Sequence, residues 1–202
     1  MPENRPVKRI GFIGLGDMGL PMAQNLIKAG FEVCGFDLRT ERLDLLKKAG
    51  GLSANSISEL GKSSDVVFVM VMTGKQVSEI ILGDNGLLKS MHKDSAIILS
   101  STIAPLDARE VSDPVLKAGI KIIDTPVSGG KSGAENGSLT MMAAASKKTF
   151  DEHQDVLKGV GEKIFHVGEE IGMGQTVKAA LQALIGSTFT AIFESLVLGA
   201  KA

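Results

Sequence analysis

The sequence predicts an α/β fold in which helices cover both faces of a doubly wound, mostly parallel sheet. Short apolar runs alternate with segments whose apolar residues recur every three or four positions, as strands and amphipathic helices require. One run, Asp65 to Met72, is apolar almost without interruption, which is typical of a strand in the middle of a parallel sheet. Several strands end in glycine or polar residues, and in such a sheet these ends line the ligand crevice.

The first element is a strand, a tight turn and a helix over Ile10 to Gly30. Its turn follows the G-x-G-x-x-G pattern of a Rossmann-type sheet, and the residues that would bind the cofactor there are Gly14, Leu15, Gly16, Asp17, Met18 and Gly19. Gly14 can adopt a positive φ, Gly16 leaves room for a pyrophosphate, and Gly19 allows close packing of the helix on its strand. The alternative is that these glycines are needed only for the conformation of the turn.

The second strand, Phe31 to Phe36, ends in Asp37, 18 residues after Gly19. A dinucleotide site places a carboxylate at this spacing to accept the ribose hydroxyls, and the carboxylate repels a 2′-phosphate. We therefore expect NAD as the cofactor. Because of Arg39, NADP stays the less favoured alternative. The other interpretation of Arg39 is a solvated loop residue. Cys34, the single cysteine, is expected to be a buried small hydrophobe in a protein from a reducing compartment.

The remaining elements continue the alternation of strands and helices. Helices are expected at Thr40 to Ala49 with Thr40 as the cap, Ser56 to Gly61, Lys75 to Leu82, Pro105 to Ala118 and Ser146 to Lys158. Strands are expected at Leu52 to Ala54, Asp65 to Met72, Ser95 to Leu99, Ile120 to Asp124, Ser138 to Ala145 and Lys163 to Val167, and the last two should extend the sheet. Thr125 to Ala134 has the composition of a turn-rich loop.

From about Gly174 to Ala202 one long helical pattern is apolar on nearly every side, which is typical of a buried helix. Polar residues within it, including Lys178 and Glu194, argue against a membrane span. We divide the chain into a dinucleotide-binding domain at residues 1–171 and the start of an interdomain helix at residues 172–202.

Charge and composition favour a small soluble ligand. The 22 basic and 23 acidic residues nearly cancel and form no basic run, so nothing indicates binding to nucleic acid or to a membrane. His92, His153 and His166 lack the spacing of metal ligands and are expected to be ordinary surface or loop residues. We see no signal peptide in Met1 to Arg9, and expect a cytoplasmic protein, or one in an organelle matrix after loss of a targeting segment.

Three polar clusters are candidates for chemistry. Ser101 and Thr102 lie at the end of a strand, but would also cap the helix that Pro105 opens. Ser128, Gly129 and Gly130 form either a flexible turn or a nest of N–H groups for a carboxylate. Lys178 is either a solvated lysine or a general acid whose pKa is lowered by desolvation.

Four motifs in order, covering the whole chain, resemble the β-hydroxyacid dehydrogenase family, which includes 3-hydroxyisobutyrate and 6-phosphogluconate dehydrogenases. They are GLGDMGLPM at 14–22, STI at 101–103, DTPVSGG at 124–130 and GMGQTVK at 172–178. The resemblance implies that Lys178 is the catalytic lysine and that Ser128, Gly129, Gly130 and Gln182 bind the substrate. It also implies that the cofactor-binding set extends to Val71, Met72 and Thr102. No metal is implied.

The implied activity is hydride transfer between NAD(P) and a small hydroxy acid, 3-hydroxyisobutyrate-like or threonate-like, with Lys178 relaying the hydroxyl proton. Gln182 stands where family members typically have asparagine, and together with the SSTIA run at 100–104 and Asp37-Leu38 it makes the chain look like the L-threonate dehydrogenase branch. Relatives continue the long helix into an all-α domain with dimer contacts, so we expect that domain to be missing and the chain to form a homo-oligomer through its C-terminal helix. The alternatives are a non-catalytic dinucleotide-binding regulatory module and an imine reductase-like enzyme, which would not be expected to keep Lys178.

Overall fold

The computed structural model describes residues 8–202. In this part of the chain nine strands form one sheet in the order β3-β2-β1-β4-β5-β6-β8-β7, and β9 pairs with β8. The strands are β1 (Arg9–Ile13), β2 (Glu32–Phe36), β3 (Leu52–Ser53), β4 (Val66–Val69), β5 (Ala96–Leu99), β6 (Lys121–Asp124), β7 (Val127–Ser128), β8 (Leu139–Ala144) and β9 (Gly161–Gly168). Strands β1 to β6 are mutually parallel, whereas β8 is antiparallel to β6 and β7. The predicted mostly parallel α/β sheet is confirmed.

Helices connect the strands and pack on both faces of the sheet. They are α1 (Gly19–Lys28), α2 (Thr40–Lys48), α3 (Ile57–Ser63), α4 (Gly74–Leu82), α5 (Leu87–Ser90), α6 (Pro105–Lys117), α7 (Gly130–Asn136), α8 (Lys147–Glu152), α9 (Gln154–Lys158) and α10 (Met173–Lys201). Side chains alternate between two cores along the central strands. Phe68 and Ile98 enter one core, whereas Val67 and Ile97 enter the other. This double burial explains why β4 and β5 are continuous apolar runs.

The strand order reverses at β1, which lies between β2 and β4. The loops that leave β1 and β4 therefore diverge to opposite faces of the sheet and leave a crevice between them. Gly14 lies at the end of β1, and Met70 and Val71 at the end of β4. The expected ligand crevice is thus at the carboxyl ends of these two strands.

Several local predictions were wrong. The loop predicted over Thr125 to Ala134 contains β7 and the start of α7, whose N-cap Gly129 and first residue Gly130 both have positive φ angles. The helix predicted from Ser146 to Lys158 is broken at His153, although Ser146 does cap it by accepting a hydrogen bond from the backbone of Thr149. The N-cap of α2 is Arg39, so Thr40 is its first helical residue and not its cap.

His153, expected to be an ordinary surface or loop residue, lies in the turn between α8 and α9 but is buried, with its Nδ1 2.7 Å from the Thr149 carbonyl oxygen. Burial lowers the pKa of His153 below its ordinary value, since the charged ring loses hydration. The other two histidines are less enclosed: His92 is exposed and lies 3.5 Å from Asp65, and His166 is half-buried and stacks on Phe150.

The long helix α10 is anchored at its first turns and exposed beyond them. Its buried residues are Gly174, Gln175 and Lys178, whereas Leu184, Phe189 and Phe193 are each more than half exposed. The rest of the described chain therefore does not cover this helix beyond its first turns. Length and composition alone would allow α10 to cross a membrane, and our prediction that it does not remains a prediction.

Candidate active site

The three glycines of the β1–α1 turn have the geometries that their predicted roles require. Gly14 has a φ of +92°, and its N–H donates to the Phe36 carbonyl oxygen at 3.0 Å, which ties the turn to the end of β2. A Cβ on Gly19 would collide with the Gly14 carbonyl oxygen, so this glycine allows the close packing of α1 on the turn. By contrast, the nearest atom to a Cβ on Gly16 would be Arg39 Nη2 at 3.8 Å, so the space above Gly16 is open.

Asp37 lies beside this turn, where its carboxylate accepts from the Leu15 N–H at 2.7 Å and from the Arg39 N–H at 2.9 Å. The Arg39 guanidinium adds two bonds of 3.0 and 3.2 Å. Burial raises the pKa of the Asp37 carboxyl, but these hydrogen bonds outweigh it and hold the pKa below its ordinary value. Asp37 is therefore an anion at neutral pH and lies at the edge of the crevice.

A second ion pair braces the same turn. The exposed Asp17 carboxylate lies 3.1 Å from Arg42 Nη2, which comes from the first turn of α2. Met18 is half-buried against the core that covers α1. The six residues predicted for the turn are thus brought together with Asp37 and Arg39 in one place.

The segment after β5, residues 100–104, which we call the Ser101 loop, approaches the end of β4. The Ser101 hydroxyl accepts from the Val71 N–H at 2.8 Å, and Met72 and Thr102 are exposed beside it. The N-cap of α6 is Ala104 without a side-chain cap bond, so the alternative that Ser101 or Thr102 caps this helix is wrong. The three predicted cofactor residues Val71, Met72 and Thr102 lie on these two adjoining strand ends.

Ser128 and the glycines after it lie at the far side of β8. Ser128 pairs with Thr140 of β8, and Gly129 and Gly130 are exposed at the start of α7 with φ angles of +131° and +60°. Helix α10 also packs against β8, so one strand positions both the Ser128 turn and the helix that carries Lys178. Gln182 is exposed one turn beyond Lys178.

Lys178 is 7% exposed, so the alternative of a solvated lysine is wrong for this structure. Desolvation lowers the pKa of its amine from the ordinary value of 10.5. A lysine with a lowered pKa exchanges protons more readily near neutral pH than an exposed lysine does. Among residues 8–202 we find no group of three His, Cys, Asp or Glu side chains that would hold a metal ion.

Sequence analysis did not identify two buried residues that hold the first turn of α10 in place. Asp124 is fully buried at the end of β6 and accepts from the N–H groups of Gly172 and Gln175 at 2.9 and 3.2 Å. Burial raises the pKa of Asp124, although the hydrogen bonds that it accepts act in the opposite direction. Gln175, 1% exposed, connects Asp124 to the Ser101 loop. Both residues lie inside the quoted motifs, and this position in the sequence is the signal that could have identified them.

Comparison with protein families gives a match over residues 9–168 to the NAD binding domain of 6-phosphogluconate dehydrogenase. A probable mitochondrial 3-hydroxyisobutyrate dehydrogenase from Dictyostelium discoideum is 37% identical over 96% of this chain and 60% of its own length. The L-threonate dehydrogenase of Haemophilus influenzae is also 37% identical, over 96% of this chain and 64% of its own. The chain thus spans less than two thirds of the length of these relatives.

Solved structures give the same picture. The 3-hydroxyisobutyrate dehydrogenase of Salmonella typhimurium superposes with a TM-score of 0.90 at 31% identity, covering 96% of this chain and 68% of that chain. The Mycobacterium tuberculosis 3-hydroxyisobutyrate dehydrogenase, solved with L-serine, has a TM-score of 0.90 at 34% identity, covering 96% and 66%. An imine reductase from Myxococcus stipitatus has a TM-score of 0.87 at 21% identity, covering 94% and 64%, a likeness that extends to the fold alone.

Proposed function

Because the chain belongs to the family of the NAD binding domain of 6-phosphogluconate dehydrogenase, we propose that it is the cofactor-binding part of a dehydrogenase that oxidises a CH–OH group of a small hydroxy acid. The observation that carries the proposal is the burial of Lys178 near the start of α10, a helix that is exposed beyond this residue. A non-catalytic module would have no need for a desolvated lysine there. The same lysine is the reason that we do not favour an imine reductase.

The turn after β1 fits a dinucleotide. The open space above Gly16 would admit a pyrophosphate to the backbone, and the start of α1 presents N–H groups to an anion. Asp37 would accept the ribose hydroxyls, so we propose NAD in preference to NADP. Arg39 is engaged with Asp37, and this pairing leaves its guanidinium less free to bind a 2′-phosphate.

The bound nicotinamide would supply a hydride acceptor at the ends of β4 and β5. The residues of this chain do the rest of the work. The nicotinamide ring would be flanked by Val71, Met72 and Thr102. Lys178 would take the hydroxyl proton of the substrate as the hydride leaves the carbon that bears this hydroxyl. The neutral amine that this step requires is favoured by the burial that lowers the pKa of Lys178.

The substrate would be held by its carboxylate. We propose that the N–H groups at Gly129 and Gly130, with the Ser128 hydroxyl, bind this group, and that Gln182 contacts a hydroxyl of the substrate. Such anchoring fixes the reacting carbon between Lys178 and the cofactor. The relatives support either a 3-hydroxyisobutyrate-like or a threonate-like acid, and Gln182 leads us to favour threonate.

We further propose that residues 1–171 form the dinucleotide-binding domain and that residues 172–202 lead into a helical domain. The start of α10 at Met173, directly after its N-cap Gly172, supports this boundary. The exposed apolar side chains of α10 support association of the chain into a homo-oligomer through this helix. A cytoplasmic location remains our expectation.

A substrate screen tests the proposal. The protein is incubated with NAD or NADP and a panel of small hydroxy acids that includes L-threonate, 3-hydroxyisobutyrate and L-serine, and the reduced cofactor is followed by its absorbance. We expect turnover with NAD and at least one of these acids. Since the relatives are longer than this chain, the screen is run on residues 1–202 and on a form extended by the proposed helical domain, which we call the full-length protein.

Esters of the same acids serve as controls, because they lack the carboxylate that the Ser128 turn would bind. We expect them to react far more slowly than the free acids. Binding of NAD without turnover of any hydroxy acid by the full-length protein would favour the regulatory module instead.

A further inference from the structure

One buried side chain connects the long helix to two strand ends. Gln175 lies in the first turn of α10, and its Oε1 accepts from the Ile103 N–H at 3.0 Å. Its Nε2 donates to the Ser101 carbonyl oxygen at 2.9 Å and to Asp124 Oδ1 at 2.8 Å. Both N–H groups of the Gln175 amide therefore donate a hydrogen bond, and its oxygen accepts one, in a site from which water is excluded.

The partners determine which residue can stand at position 175. Ile103 presents a donor, whereas Ser101 and Asp124 present acceptors, so the side chain must accept once and donate twice. An amide does both, but a glutamate carboxylate has no N–H to donate and would meet the Asp124 carboxylate at hydrogen-bond distance. A methionine would fill the same space and leave the three partners unpaired, which is costly in a buried site.

These bonds hold the Ser101 loop on both sides of Thr102. Asp124 adds bonds to the backbone N–H groups of Gly172 and Gln175, so the first turn of α10 cannot move relative to β6 and the loop without breaking several of them. Lys178 follows Gln175 by three residues and so lies on the same side of the helix. The network therefore fixes the part of α10 that carries Lys178.

We propose that Gln175 is a positioning residue that, by fixing the start of α10 against the Ser101 loop and Asp124, keeps Lys178 in its buried position. The consequence for turnover rests on the proposed function of Lys178, but the position of the amine can be measured without any turnover. Gln175 acts through Lys178 and the loop, and the structure gives it no part in the chemistry itself.

The main test substitutes Gln175→Met, which keeps the side-chain length and removes the three hydrogen bonds. Acetylation of Lys178 by acetic anhydride is followed by mass spectrometry as a function of pH, relative to the exposed Lys201. In the parent, Lys178 should titrate below the ordinary lysine value of 10.5. In Gln175→Met its titration should move up towards that value, because the amine regains water.

Turnover is measured in parallel on the full-length protein. We expect Gln175→Met to lower kcat by roughly 10- to 100-fold with little change in the affinity for NAD, because a small displacement of the lysine misaligns proton transfer. Gln154→Met is the matched control, because Gln154 is a partly exposed glutamine on α9 that bonds Asp151. It should leave both measurements unchanged.

The outcomes separate the two proposals. An unchanged titration of Lys178 in folded Gln175→Met overturns the positioning role, whether or not kcat falls. A shifted titration with full turnover supports the positioning role and refutes the catalytic role of Lys178. If Gln175→Met does not fold, Gln175→Asn, whose amide is one methylene shorter, is measured in the same way and decides by the same criteria.

Discussion

Alanine substitutions in the β1–α1 turn should separate a glycine that makes room for a ligand from one that the backbone requires. A Cβ on Gly16 would meet only Arg39 Nη2 at 3.8 Å, so Gly16→Ala should change the free energy of unfolding by less than about 1 kcal/mol. Gly14 differs because its φ is +92° and a Cβ there would collide with the Met70 carbonyl oxygen. Adding the left-handed strain to the packing conflict, Gly14→Ala should lose about 2–5 kcal/mol.

The affinity for NAD should rank these variants differently from their stability. The methyl group of Gly16→Ala would occupy the space through which a phosphate reaches the backbone. Loss of one hydrogen bond to that charged group, worth about 1.5–3 kcal/mol, corresponds to roughly 10- to 150-fold in Kd. Calorimetric titration measures the affinity, and chemical denaturation measures the stability. Gly186→Ala is the control, because Gly186 also has open space but lies on α10 away from the turn.

Two results would refute this reasoning. The first is a Gly16→Ala variant that binds NAD as tightly as the parent, because the space above Gly16 would then not be the phosphate site. The second is a Gly16→Ala variant as unstable as Gly14→Ala, because the space above Gly16 would then not be open.

Three further predictions concern the cofactor preference, the pH dependence and the long helix. Asp37→Ala should weaken the binding of NAD and remove the repulsion of the NADP 2′-phosphate, so that the two affinities approach each other in calorimetric titrations. Tighter binding of NADP than of NAD by the parent would contradict the assignment of NAD as the cofactor. In the proposed mechanism oxidation uses the neutral amine of Lys178, and since burial lowers the pKa of Lys178, kcat/KM for oxidation should rise with pH through a step below 10.5. A step at or above that value would mean that the lysine is solvated. Residues 1–202 should associate through α10 or fray it, because each large side chain left in water forgoes about 1.5–3 kcal/mol of burial. Light scattering that gives a monomer, with slow amide exchange from Leu184 to Leu198, would disprove this.

Local sequence patterns were sufficient for the sheet and for the nucleotide turn. The double burial of β4 and the strand–turn–helix around Gly14 depend on residues that are close in sequence, so periodicity and glycine spacing predict them. The same holds for Asp37, whose distance from Gly19 along the chain reflects the length of α1 and β2.

The remaining features depend on residues far apart in sequence. Gln175 bonds Ser101 and Asp124, which precede it by 74 and 51 residues, and no local pattern records such pairings. Likewise, the break between α8 and α9 at His153 and the start of α7 in a glycine-rich stretch are not marked by the local pattern of apolar residues. A buried Lys178 could be inferred only from the family motif, since an apolar helix does not tell which of its faces is covered.

The central claim is that Lys178 moves the substrate proton, and the most direct measurement is single-turnover hydride transfer by Lys178→Ala in the full-length protein. Lys201→Ala is the matched control, because Lys201 is an exposed lysine on the same helix. We predict that Lys178→Ala slows hydride transfer by roughly a hundredfold or more while NAD affinity stays nearly the same, and that Lys201→Ala has no effect. A Lys178→Ala variant whose hydride transfer stays close to the parent rate would contradict the assignment of Lys178 as the catalytic residue.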